Sequence, residues 1–114
     1  MAKFRFVEWL IEWLERQRGF AFEWDDGNCT KSLQKHGVTN EEAESFFYQP
    51  EMIRVLGEQV NPIADEPRYG LFGLTITGKP VFVCLTLRGS GLRIISVREL
   101  NKKELVIYDE LRKE

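Results

Sequence analysis

A chain of 114 residues with a formal net charge of −2 is long enough for one domain with a real core and too short for two. Its 43% apolar and 30% charged residues exclude a disordered chain, and the slight negative balance argues against a general nucleic-acid binder, which carries a basic surface. No apolar run reaches a membrane-spanning length, the N-terminus lacks a signal-peptide cleavage site, and Cys29 and Cys84 show no metal-ligand spacing, so the expected setting is a reducing cytoplasm.

Residues 4–17 predict an amphipathic helix. At about 100° per residue, Phe6, Val7, Trp9, Leu10, Ile11, Trp13 and Leu14 share one broad arc, and Gly19 ends the helix. The arc either packs on the domain's own core or forms a homodimer through Trp9 and Trp13. Its polar face is too acidic for a membrane surface. Phe20 to Trp24 reads as a short strand, and Asp25 or Asp26 caps a helix that runs to His36 and stops at Gly37. Thr39 caps the next helix, 39–47. Glu42 completes a capping box there, Val38 and Ala43 form a staple, and Phe46 and Phe47 dock the helix.

Met52 to Leu56 reads as a strand, residues 57–67 as a loop rich in Gly, Pro and acids, and Arg68 to Ile76 as a strand in which Gly73 marks a bulge or a close approach. After the turn at Thr77–Pro80, Val81 to Arg88 and Leu92 to Arg98 are two strands joined by Gly89, Ser90 and Gly91, a three-residue hairpin signal. That loop length pairs Arg88 with Leu92, Thr86 with Ile94, Cys84 with Ser96 and Phe82 with Arg98. One face then carries Arg88, Thr86, Ser96 and Arg98. The other carries Val81, Val83, Leu85, Leu87, Ile95 and Val97, with Arg93 near the turn. A one-residue slip would exchange the two sets. Asn101 with Glu104 is a second capping box, opening a helix over 101–112. The whole is an α+β domain: a mainly antiparallel four- or five-stranded sheet with helices packed on its apolar face.

Charge is concentrated on the hairpin. From Lys79 to Lys103 six basic residues stand against one acid, Glu99, a local +5 that leaves −7 for the rest of the chain. Arg88 and Arg98, with Arg68 from the neighbouring strand, can form a cationic patch that grips phosphate through paired hydrogen bonds. The alternative is that each arginine pairs with Asp65, Glu66, Glu99 or Glu104. His36 is the side chain that titrates near neutrality; it is either a general acid or base, or a helix-end histidine that donates to free carbonyls. The chain has no phosphate loop, HExxH, CxxC pair or GxSxG, so no metal or cofactor is expected.

FEWD (22–25), LQKHGVT (33–39) with EEA (41–43), the Arg68 strand, and RIISVR (93–98) followed by Glu104 and Tyr108 resemble the BrnT toxin family over roughly residues 20–110. On this resemblance residues 1–19 are an N-terminal amphipathic extension and 20–114 a BrnT-like domain. The family implies a RelE-like fold, a metal-independent endoribonuclease that cleaves through the RNA's own 2′-hydroxyl, and a ribbon-helix-helix antitoxin as partner. Carried over by motif are Lys35, His36, Arg68, Arg93, Ser96, Arg98, Glu104 and Tyr108, of which Lys35, His36, Arg68, Ser96, Arg98 and Tyr108 form the implied catalytic set. RNA would be held by Arg88, Arg93, Lys102 and Lys103. The chain departs from the family's usual pattern at Asn28, Ser32, Pro67, Leu85 and Leu100. Three readings stay open: a nuclease toxin, a catalytically diverged interaction module, and a homodimer closed by the tryptophan helix.

Overall fold

The computed structural model describes residues 4–5, 9, 12–13, 16, 22, 38–59, 67–88 and 91–113. Among these, the strands form one antiparallel sheet in the order of the sequence: β1 (Phe4–Arg5), β2 (Arg54–Gln59), β3 (Tyr69–Leu74), β4 (Pro80–Arg88) and β5 (Gly91–Glu99). A short helix, α1 (Asn40–Ser45), precedes β2, and α2 (Lys102–Arg112) follows β5. This is the expected α+β class. No helix among the described residues is long and apolar enough to cross a membrane.

Both capping boxes form. The Thr39 hydroxyl accepts from Glu42 N, and the Glu42 side chain reaches back to Thr39 N; Asn101 and Glu104 repeat the arrangement at α2. Each satisfies two backbone donors that a helix start leaves free. After α1 the chain tightens into two 3-10 turns, Phe46–Tyr48 and Pro50–Met52, so β2 starts two residues later than Met52 and runs on to Gln59. Gly73 proves to be a close approach: a Cβ there would lie 2.3 Å from Cε2 of Phe46.

Three expectations are corrected. First, the helices do not gather on one face. Leu71, Val81, Val83, Leu85 and Val97 are buried with Ala43, Phe46 and Phe47 from the α1 side, whereas Phe72, Phe82 and Cys84 are buried with Tyr108 and packed by Leu105 and Leu111 of α2. Alternate residues of β3 and β4 thus feed two cores. The reason is legible in the apolar run VFVCL, since a strand apolar on both sides has to be covered twice.

Second, the hairpin loop has two residues. Arg88 pairs with Gly91, Leu87 with Leu92, Thr86 with Arg93 and Leu85 with Ile94; a bulge between Cys84 and Leu85 then restores the expected pairs Cys84–Ser96 and Phe82–Arg98. Ile95 is the extra residue. It packs on the α2 core, while Ile94 joins the α1 core. Arg93 comes to the face of Thr86 and Ser96 instead of the core face. The slip at the tip is absorbed by the bulge before it reaches the base.

Third, Phe4 and Arg5 are not helical but pair with Gln59 and Glu58. Trp9, Glu12, Trp13 and Arg16 are helical. Trp13 packs against the α1 core, while Trp9 stays 45% exposed and meets the Tyr69 ring edge-on at 5.2 Å. Phe22 bridges to Leu92, and its ring meets that of Phe47 at a tilt, 5.4 Å between centroids. The remainder of the strand 20–24, the helix 25–36 and the loop 60–66 lie outside the described residues.

Candidate functional site

The candidate site is the α2-side face of the sheet toward the hairpin tip, where pairing across β3, β4 and β5 sets out three rows. Arg68, just before β3, lies at the level of Thr86, which pairs with Arg93. Gly70, Cys84 and Ser96 form the next row, and Gly57 extends it onto β2. Phe72, Phe82 and Arg98 form the third. Small residues thus make a floor between a row carrying Arg68 and Arg93 and a row carrying Arg98. The outer rows are roughly 13 Å apart along the strand, four residues at the usual rise.

Arg98 is held on every side but one. Its Nη1 and Nη2 donate to Oε1 and Oε2 of Glu104 at 2.6 and 2.7 Å. Nη1 also leans on the Glu99 carbonyl at 3.4 Å, and Cζ sits 4.9 Å from the centre of the Phe82 ring. The Glu104 side chain is only 4% exposed, and its Oε1 also accepts the main-chain N–H of Asn101 at 3.0 Å. The hydrogen bond from Arg98 holds the Glu104 carboxyl below the usual carboxylate range against the opposing effect of burial, and the same bond raises Arg98. This is the pairing alternative left open for the hairpin arginines, realised for Arg98.

Arg68 is half-buried, and its Nε lies buried with no hydrogen-bond partner. The preceding carbonyl, of Pro67, accepts from the Thr86 hydroxyl at 2.7 Å, which ties the start of β3 to β4. Burial pushes the Cys84 thiol up, and the charge of Arg68 pulls it partly back. Ser96 stands half-buried opposite Cys84. Lys102 and Lys103 are exposed on the first turn of α2. Lys79, counted with the basic hairpin, instead pairs with Glu42 at 3.5 Å and Glu99 at 3.7 Å and ties α1 to the hairpin base.

Tyr108 is buried, its hydroxyl donates to the Met52 carbonyl, and the Arg112 guanidinium lies 4.5 Å over its ring. Arg54 Nε donates to the Leu111 carbonyl at 3.3 Å, a cation at the helix end where the dipole favours it. Together these anchor α2 beside the site. The sheet therefore brings Arg68, Arg93, Ser96 and Arg98 onto one face and leaves Tyr108 beneath the helix. Arg88 lies in β4 at the hairpin tip. Lys35 and His36 lie outside the described residues. Among the described residues no group of three His, Cys, Asp or Glu side chains is gathered as for a metal ion.

Sequence reasoning did not single out the row Gly57–Gly70–Cys84–Ser96. Its four members sit on four strands and are joined only by register, although Gly57 and Gly70 are visible as glycines in otherwise apolar runs.

The structure is a small α+β domain whose antiparallel sheet carries Arg68, Arg93 and Arg98 on one face. A family model for the ribonuclease toxin BrnT of type II toxin-antitoxin systems matches residues 24–104. The chain belongs to that family, whose type II organisation implies an antitoxin as partner. Among curated proteins no match to the chain was found.

Proposed function

We propose that the chain is a metal-independent endoribonuclease toxin that works in the cytoplasm and is neutralised by a ribbon-helix-helix antitoxin. The RNA's 2′-hydroxyl attacks the adjacent phosphorus, the 5′-oxygen leaves, and a 2′,3′-cyclic phosphate and a 5′-hydroxyl result. The protein has to take one proton, return one, and stabilise charge on the phosphate in between. His36 is the group suited to proton exchange near neutrality, with Lys35 beside it in sequence. Arg68, Ser96 and Arg98 serve the phosphate. Arg88, Arg93, Lys102 and Lys103 hold the flanking strand, and Tyr108 fixes α2 against the site.

The observation that carries this reading is Arg68 Nε, a buried cationic donor without a partner on the same face as Arg93, Ser96 and Arg98. An unmet donor of this kind costs about 1–3 kcal/mol. A phosphate oxygen satisfies it, and an apolar partner surface would not.

The test is cleavage of a defined RNA by the purified protein, with EDTA and with a 2′-deoxy substitution at the cut. Cleavage is expected to survive EDTA and to stop at the 2′-deoxy position. Arg98→Lys is expected to lower turnover on the order of 100-fold, because an ammonium cannot present two parallel donors. Loss of activity in EDTA, or cleavage of the 2′-deoxy substrate, overturns the mechanism.

A further inference from the structure

Resting on the reading above, we infer that Glu104 is a positioning residue for Arg98, holding its guanidinium so that one defined edge is left for a phosphate. A guanidinium carries five N–H groups in a rigid plane. Glu104 takes one from each Nη at 2.6 and 2.7 Å, and Nη1 also leans on the Glu99 carbonyl. What is left is Nε–H beside the second N–H of Nη2, two parallel donors on one edge. That is the fork two phosphate oxygens accept. The Phe82 ring lies against one face of the guanidinium and limits its tilt.

The clamp is itself fixed. Glu104 sits in the first turn of α2, and its Oε1 takes the Asn101 main-chain N–H at 3.0 Å, a bond that does not depend on the Asn101 side chain. Arg98 is therefore joined to the sheet by its backbone and to the helix by its head. Four rotatable side-chain bonds are stilled before any ligand arrives, which is how a transition-state contact gains its worth.

The buried carboxylate has a second consequence. Arg98 and Glu104 together carry no net charge, so the pair supplies direction and little long-range attraction. Taking away the carboxylate makes the site more cationic and less ordered. RNA binding then holds or strengthens while turnover falls, an opposite movement that a merely structural brace does not produce.

Glu104→Gln is the variant that separates these. Glutamine keeps an oxygen for the Asn101 N–H, and the capping box accepts it, but the second oxygen and the charge are gone. Asn101→Ala is the companion: it removes the side-chain cap and leaves Glu104 and Arg98 intact. Single-turnover cleavage at saturating RNA, affinity for the 2′-deoxy RNA, and thermal melting are measured on both and on the parent.

Glu104→Gln is expected to lower turnover on the order of 100-fold with affinity for the 2′-deoxy RNA unchanged or tighter. Asn101→Ala is expected to lower the melting temperature and keep the parent's turnover per folded molecule. Parental turnover in Glu104→Gln, a parallel loss of affinity and turnover in it, or an equal loss of turnover in Asn101→Ala each overturns the inference while cleavage by the parent stands. A parent that cuts no RNA overturns the function reading, and this inference with it.

Discussion

On the α1 side of the sheet, Leu71, Val81, Val83, Leu85 and Val97 meet Phe46 and Phe47 in an apolar core, with polar ties at its rim from Lys79 to Glu42, from the Ile76 N–H to Ser45 Oγ and from Gln49 to the Thr75 carbonyl. On the α2 side, Phe72, Phe82 and Cys84 meet Tyr108, but the helix is located by directed polar contacts. Arg98 is bound to Glu104, the Tyr108 hydroxyl to the Met52 carbonyl, and Arg54 to the Leu111 carbonyl. Apolar packing is non-directional and scales with area, so the first face supplies stability and tolerates volume-conserving exchange. Hydrogen bonds fix angle and distance, so the second face adds position, and its bonds reach the proposed site. Arg98, one of the two arginines the proposed chemistry sets at the phosphate, is held by the helix on that side.

The largest expected effect is on the apolar side. Phe46 is fully buried, rests on the close approach at Gly73, and meets Phe47 edge-on at 4.9 Å. Phe46→Ala is expected to cost about 3–5 kcal/mol in denaturant unfolding, with RNA cleavage per folded molecule unchanged. A fall in that specific activity would break the division between the faces.

Tyr108→Phe sharpens the division from the other side. The ring keeps its place against Phe72, at 6.1 Å between centroids, and the bond to Met52 is lost. A cost of about 1 kcal/mol, read by the same unfolding experiment, is expected. A cost as large as that of Phe46→Ala would mean that the hydroxyl, and not the apolar surface, governs both cores.

The smallest effect is a pH dependence. Glu104 is held below its unfolded value, chiefly by the Arg98 hydrogen bond. Its stabilising contribution is therefore complete above the unfolded carboxyl value of about 4.3 and is lost as the pH falls through the lower folded value. Glu104→Gln is expected to flatten the stability profile in that acid window and leave its neutral limb parallel to the parent's. An unchanged acid limb would show that other carboxylates carry the acid sensitivity.

Features whose partners are close in sequence were legible beforehand. The capping boxes Thr39–Glu42 and Asn101–Glu104 link residues three apart, and both helices open where those signals stand. The expected pairs at the base of the hairpin, Cys84 with Ser96 and Phe82 with Arg98, are met because the bulge at Ile95 offsets a loop one residue shorter than expected. The α+β class was legible too, because sequential strands joined by short turns pair antiparallel. Of the site, the sequence named Arg68, Arg93, Ser96 and Arg98, and it put Glu104 among the acids that can pair with an arginine.

Tertiary structure alone decided which faces those residues share. The tip of the hairpin is short by one residue and the bulge at Ile95 recovers it, because Ile94 and Leu92 are drawn to the α1 core while Ile95 is drawn to the α2 core. That choice depends on apolar surface from two helices more than 50 residues apart in the chain, which no local pattern reports. It turned Arg93 out of the core face and onto the cationic one. The same distance separates Met52 from Tyr108 and Arg54 from Leu111. The sequence could thus nominate Arg98 as a charge, while its fixed orientation came from α2 folding back across the sheet.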